Sequence, residues 1–288
     1  MKYKYDQNVK KVIRVFYLIT FFGIINQIQK SIKYIFRNER KLFMIKIENV
    51  SKSYKKGTKV IDNLNLEIKE GEIFGFLGPN GVGKTTTIKM ITGILNIDEG
   101  DIFIDDKSIQ KDPVEAKKNF GYIPDTPDMF IKLKGIEYLN FIADMYDVSE
   151  ADRKERIERY SKKFGIYEAL DNKIQSYSHG MRQKILIIGV LLHNPRNWII
   201  DEPMTGLDPN STFELKKLMR EHADNGNTVF FSTHILDVAE RLCDRIGIIN
   251  KGKLLFVGTY EEIKQKLQEN KSLEELYMEI TKNDEENN

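Results

Sequence analysis

Gly78-Pro79-Asn80-Gly81-Val82-Gly83-Lys84-Thr85 is the stretch that decides this fold. It follows Glu72-Ile73-Phe74-Gly75-Phe76-Leu77, a short apolar run of the kind a buried parallel strand shows. Gly78, Gly81 and Gly83 allow backbone conformations that a Cβ would forbid, and they let successive N–H groups converge on one place. Thr85-Thr86-Thr87-Ile88-Lys89-Met90 then opens a helix, whose N-terminus carries partial positive charge and suits a phosphate. The spacing satisfies GxxxxGK[ST] in full. In that pattern Lys84 reaches the β- and γ-phosphates and the Thr85 hydroxyl ligates Mg²⁺. A chance glycine-rich turn is the competing reading, and all four constrained positions lying between strand and helix weigh against it.

A second segment carries the complementary chemistry. It runs from Tyr177-Ser178-His179-Gly180-Met181 to Ile199-Ile200-Asp201-Glu202-Pro203. An adjacent acidic pair is common on surfaces, but one preceded by Trp198-Ile199-Ile200 and followed by Pro203 is not a solvated face. Asp201 ends an apolar strand, where its carboxylate can hold the Mg²⁺ shell. Ser232-Thr233-His234 follows the apolar Val229-Phe230-Phe231, so His234 is expected at another strand end.

Outward from these motifs, the 288 residues are 41% hydrophobic, enough for a sizeable core. No internal repeat is evident. The single Cys243 excludes an intramolecular disulfide and suits a reducing compartment. It has no neighbouring His, so burial is expected rather than nucleophilic chemistry. The four histidines are too scattered for a metal site, and His193 and His222 read as packing or surface residues.

Charge is divided sharply. Residues 1–43 hold ten Lys/Arg against two acids, Asp6 and Glu39, whereas the remainder is net −6. Within this basic extension, Val12 to Ile28 is mostly apolar but short for a membrane span. It reads as a membrane-surface helix, a weak anchor, or residues outside the working protein. The last is favoured, because Met44-Ile45-Lys46-Ile47-Glu48-Asn49-Val50 alternates like a first strand and begins with its own Met.

From Met44 onward, strands are expected at Met44–Val50, Leu64–Lys69, Ile73–Leu77 and Asp101–Asp105. Helical periodicity covers about Ile136 to His193, including an aromatic stripe of Tyr138, Phe141, Ile142 and Tyr146. Such a stripe is core or a docking surface for a partner helix. Strands return at Trp198–Ile200, Thr228–Phe231 and Arg245–Asn250, with a helix from Thr212 to about Asn225. The expected fold is therefore α/β, a nucleotide core interrupted by a helical insertion at about 122–195. After residue 259 a short helical tail places Leu273, Leu276, Tyr277 and Ile280 on one apolar face, which reads as a docking helix.

These motifs, in this order, resemble the ATP-binding cassette (ABC) ATPases over nearly all of Met44–Thr259. The resemblance implies a RecA-like phosphate-loop core with an antiparallel β subdomain. It further implies that ATP is held by Gly78 through Thr85, with Pro79, Asn80 and Val82 between the glycines, and by Thr86. Tyr54 would stack on adenine. Glu202 would orient or deprotonate the attacking water, with Lys84 and His234 as the other catalytic groups; His234 would contact the γ-phosphate. Thr205-Gly206-Leu207-Asp208 resembles the family's D-loop. Thr85 and Asp201 would serve Mg²⁺; Asp125, which stands where the family commonly has Gln, would reach Mg²⁺ through water or serve mainly in coupling to the partner. Ser178 and Gly180 match the family's signature, whereas His179 and Met181 replace Gly and Gln, a variation expected in Ecs-type export cassettes.

In that family two cassettes pair head to tail, each signature meeting the partner's phosphate loop. The resemblance thus implies ATP hydrolysis, a second ABC subunit and a separate membrane permease. It places the protein peripherally at the cytoplasmic face of the cell membrane, with export favoured by the short tail. A soluble ABC ATPase acting on ribosomes or nucleic acid is the alternative. It is disfavoured by the single cassette and by an acidic body unsuited to a phosphate backbone.

Overall fold

The structure is a computed structural model that describes residues 43–55, 57–127, 130–267, 273–275 and 277–278. The expectations for residues 1–42, Leu276 and Ile280 lie outside them.

Two sheets form the body. The larger has the order β10-β9-β3-β8-β7-β6, built from β3 (Ile73–Leu77), β6 (Phe120–Ile123), β7 (Asn197–Asp201), β8 (Thr228–Thr233), β9 (Arg245–Asn250) and β10 (Lys253–Gly258). All neighbours are parallel except β10, which runs antiparallel at the edge. Every residue of β3, β7 and β8 is buried. Strands covered on both faces cannot alternate, which is why they read as continuous apolar runs.

The smaller sheet is antiparallel, in the order β2-β1-β4-β5, from β1 (Phe43–Lys55), β2 (Thr58–Lys69), β4 (Glu99–Ile104) and β5 (Lys107–Ser108). One face is buried, and β2 alternates buried and exposed residues from Leu64 onward. Its inner residues Ile45, Ile47, Leu66, Ile68, Ile102 and Ile104 share a core with Phe74, Phe76 and Phe230 of the larger sheet. Between them lies helix α1 (Lys84–Ile91), contributing Ile88, Met90 and Ile91. This helix, which begins at the phosphate loop, is thus fixed from both sides.

After β5 come the short α2 (Pro113–Lys117) and β6, and then a helical segment of α3 (Gly135–Met145), α4 (Glu150–Lys163) and α5 (His179–His193). Ser149 caps α4 and Ser178 caps α5, each side chain accepting from a backbone N–H three residues on. The aromatic stripe divides. Tyr138 is buried and Tyr146 stacks on His193 at 3.8 Å, whereas Phe141 is exposed beside Phe130. The core reading therefore holds for Tyr138, whereas Phe141 is left exposed.

Helices α6 (Pro209–Asp224) and α7 (Leu236–Leu242) follow β7 and β8, and α8 (Tyr260–Leu267) follows β10. Two sequence expectations are corrected, and one strand was missed. Tyr122 lies inside β6, so the helical segment begins beyond this strand rather than at 122. The strand β10 was not anticipated, since Lys253-Leu254-Leu255-Phe256 has no clean alternation. Finally, Leu273 is fully buried and Tyr277 half-buried against Leu77, Ile248, Phe256 and Ile263. That part of the tail's apolar face closes the chain's own sheet instead of awaiting a partner.

Candidate functional site

The strand register assembles the site. Leu77 of β3 pairs with Thr233 of β8, Ser232 pairs with Asp201 of β7, and Ile200 pairs with Ile123 of β6. Four neighbouring parallel strands thus end in one row, and the residues just beyond them converge: Gly78, His234, Glu202 and Asp125. The carboxyl edge of an open parallel sheet is where such folds place ligands.

The phosphate loop Gly78–Gly83 joins β3 to α1. Gly81 and Gly83 have φ of 85° and 116°, the left-handed region that only glycine enters freely. Gly78 is needed for a different reason: a Cβ there would lie 2.6 Å from the Ile249 carbonyl oxygen. Pro79, Asn80 and Gly81 form an exposed crest, with Val82 packed beneath and Thr85 exposed at the first turn of α1. Tyr54, at the end of β1, is exposed and reaches across to Thr86, hydroxyl to hydroxyl at 3.3 Å. An exposed aromatic beside this helix start is available for stacking.

Lys84 is buried and donates to the carbonyls of Gly78 (2.7 Å) and Pro79 (3.1 Å). Its Nζ lies 3.4 Å from Glu202 Oε1, and Glu202 Oε2 lies 3.0 Å from His234 Nδ1. Glu202 is therefore held between a cation and an imidazole. Its backbone has φ 47°, a strained value for a non-glycine residue, of the kind that clusters at functional sites.

Sequence reasoning missed the work of Ser232. Its hydroxyl donates to Asp201 Oδ1 at 2.5 Å and accepts from the Glu202 N–H at 3.1 Å, fixing both acids with one group. The signal was present, as a hydroxyl at the last inward position of an apolar strand. Burial raises the Asp201 carboxyl above the usual range, opposed by hydrogen bonds from Ser232 and Thr85. Its Oδ2 is buried without a well-formed hydrogen bond among the described residues. A buried carboxylate oxygen with capacity to spare, beside the Thr85 hydroxyl and with Asp125 close enough to be felt electrostatically, fits a divalent cation. Among the described residues no three His, Cys, Asp or Glu cluster as a metal cage. Magnesium does not require one, since it is commonly held by one or two carboxylates, waters and the phosphates themselves.

Ser178 and Gly180 sit elsewhere, at the start of α5. Ser178 is exposed and makes no hydrogen bond to residues 78–85 among the described residues. The ring of His179, which stands where the resembling family has Gly, lies against Gly206 of its own chain. His193 and His222 are packing residues, as anticipated; His222 stacks on Trp198 at 4.1 Å. Cys243 fills the space beside Gly75, where a Cβ would meet its Sγ at 2.6 Å, and burial pushes its thiol up.

Fold and site together define a phosphate-loop nucleotide-binding α/β protein. The family model described as ABC transporter matches residues 61–205. The ABC transporter ATP-binding protein YhcH of Bacillus subtilis is 40% identical over 223 residues, covering 76% of this chain and 71% of that protein. EcsA of the same organism, an ABC-type transporter ATP-binding protein, is 35% identical, covering 78% and 92%. LptB of Escherichia coli K12, a lipopolysaccharide export system ATP-binding protein, is 35% identical, covering 76% and 91%. A solved ATP-binding subunit of an ABC transporter superposes with a TM-score of 0.79 at 33% identity, covering 83% of this chain and 99% of its own. The dimeric cassette MJ0796, in a post-hydrolysis state bound to ADP and Pi, gives 0.68 at 27% identity, covering 75% and 98%. The chain belongs to the ABC transporter family, as one of its ATP-binding, ATP-hydrolysing cassettes.

Proposed function

We propose that this cassette drives a separate membrane permease, in the direction of export, by closing and opening a homodimer around two ATP molecules. The observation that carries the reading is Glu202, held at 3.4 Å from Lys84 and 3.0 Å from His234 on the carboxyl edge of the sheet. A carboxylate so placed can take a proton from water attacking a phosphate bound at the loop. Lys84 turns from the carbonyls of Gly78 and Pro79 to the β- and γ-phosphates, while the loop N–H groups and the α1 N-terminus stabilise their charge. His234 holds the γ-phosphate in line. Thr85 and Asp201 would hold Mg²⁺, which would supply neutralisation of the phosphate charge. Tyr54 stacks on the adenine.

Ser178 and Gly180 supply the other side of a partner's nucleotide. ATP then binds the closed dimer better than the open one, and hydrolysis removes that preference. Among the described residues no helix is long and apolar enough to cross a membrane, so passage of cargo falls to the permease. Phe130, Ile131, Phe141 and Met145 form an exposed apolar patch on and beside α3 that suits its docking. Export is supported by the similarity to LptB, the ATP-binding protein of a lipopolysaccharide export system. Membrane recruitment places the protein at the cytoplasmic face.

The test is phosphate release by the purified protein with ATP and Mg²⁺, alongside size-exclusion chromatography of Glu202→Gln with ATP. Turnover by wild type, and an ATP-dependent dimer in the variant, are expected. Undiminished turnover in Glu202→Gln removes this residue from catalysis. Permease engagement is read by membrane co-sedimentation of wild type and Phe141→Asp, the variant being released.

A further inference from the structure

The first turn of α5 and the loop Thr205–Asp208 meet at several points. A methyl group built on Gly206 would fall 3.1 Å from His179 Nε2 and 3.6 Å from its Cγ, and closer still to Cδ2. One built on Gly180 would fall 3.5 Å from the Gly206 carbonyl carbon and closer still to its oxygen. The imidazole thus fills the space in which any other residue at 206 would place a side chain. Further along α5, Lys184 Nζ lies 2.6 Å from Asp208 Oδ2. Asp208 in turn caps α6, accepting from the Ser211 N–H at 3.0 Å and the Ser211 hydroxyl at 2.7 Å.

The loop so held begins at Glu202. Two backbone hydrogen bonds lie inside it, Thr205 N–H to Glu202 C=O at 3.1 Å and Leu207 N–H to Met204 C=O at 3.4 Å. The first ties the backbone beside Gly206 to the residue that carries the carboxylate. Glu202 itself is in a strained backbone conformation, φ 47°, which persists only where neighbouring structure enforces it. Where the resembling family has a glycine, this chain places a ring whose edge lies on the loop.

We infer that His179 is a positioning residue: its imidazole braces Gly206 from the start of α5 and so holds the loop that sets Glu202 for hydrolysis. The inference rests on the reading of Glu202 as the group that activates water. His179 acts through the backbone of residues 203–206, so its loss lowers kcat and leaves the KM for ATP in place. A ring that merely filled space would leave both unchanged.

A double-mutant cycle on the full chain tests this, with His179→Gly, Gly206→Ala and the pair, following phosphate release across ATP concentrations. Gly206→Ala incurs left-handed backbone strain in both backgrounds, so that contribution cancels and the ring–methyl collision remains. The expected result is a kcat loss for Gly206→Ala at least about threefold smaller when residue 179 is Gly, as coupled neighbours show. His179→Gly alone lowers kcat by about two- to tenfold at constant KM, and the planar His179→Gln restores most of it. Additive effects, or a change in KM without one in kcat, overturn the brace. So does a fall in melting temperature with kcat unchanged. No turnover in wild type, or wild-type turnover in Glu202→Gln, overturns the catalytic reading beneath it. Normal loss in Glu202→Gln together with an additive pair sinks the brace alone.

Discussion

The loop at the carboxyl edge of the larger sheet and the start of α5, the two ends of the site proposed above, are finished to different degrees within this chain. At the sheet edge Lys84, Glu202 and His234 engage one another, and Ser232 ties Asp201 to the Glu202 backbone. At the start of α5, Ser178 is exposed, and among the described residues its hydroxyl caps its own helix. A group that is pre-set within one chain can act on what that chain binds. A group left facing outward acts on something brought to it. The difference between the two ends is the structural argument for a site shared between copies.

The sharpest way to break this comparison is Glu202→Gln. It removes the proton acceptor and keeps the shape, so turnover is expected to fall by about 10²–10⁴-fold with ATP still bound. Phosphate release and equilibrium binding together check it. Lys84→Ala is next. It deletes a charged donor, and at about 1.5–3 kcal/mol for such a hydrogen bond the ATP affinity is expected to drop roughly 10–100-fold by calorimetry. An unchanged affinity would remove the loop from the nucleotide site.

Ser178→Ala sharpens the contrast from the other side. Monomer ATP affinity is expected to hold, while ATP-dependent dimerisation is lost on size-exclusion chromatography. The lost cap costs about 1 kcal/mol, lowering the melting temperature by about 2–4 °C. Weaker ATP binding in the monomer would instead place Ser178 in its own chain's site.

The smallest effect concerns acid. Burial lowers His193, the last residue of α5, and His222, stacked on Trp198 of the sheet, from 6.5 to about 4. Both rings are neutral when folded but take up protons once unfolded. The stability they contribute is present above pH 6.5 and is lost as pH falls through about 4. The melting temperature should therefore decline over that window, and His193→Phe or His222→Phe should each flatten the decline. A slope that neither change alters would rule out both rings.

What was legible in the chain follows the same division. The phosphate loop, β3 and β9 were readable to the residue because apolar runs between glycines leave one solution. Asp201, Glu202 and His234 were readable because polar groups directly after buried strands have a fixed place on a parallel sheet. The use of Gly78 was not, since its constraint comes from Ile249, far away in sequence. Nor was the pairing of His179 with Gly206, which arises only when α5 and the loop after β7 are brought together. The tail's apolar face was visible, but its occupant was not: periodicity says that a face is covered, never by what. Strand β10 was hidden for a related reason, because its register shifts between Leu254 and Phe256 and so breaks the alternation of an edge strand.

The backbone of Glu202 has a consequence for heat. A non-glycine residue at φ 47° gives up of the order of 1 kcal/mol against its relaxed form. That is a noticeable fraction of what keeps a domain folded. On the proposed catalytic role of Glu202, tolerance of high temperature and speed of turnover are therefore opposed at one residue. Selection for life in hotter surroundings would press Glu202 toward glycine or asparagine, which enter this conformation readily. On the proposed role of Glu202 that change would remove the carboxylate that activates water, so relief of strain and turnover pull in opposite directions.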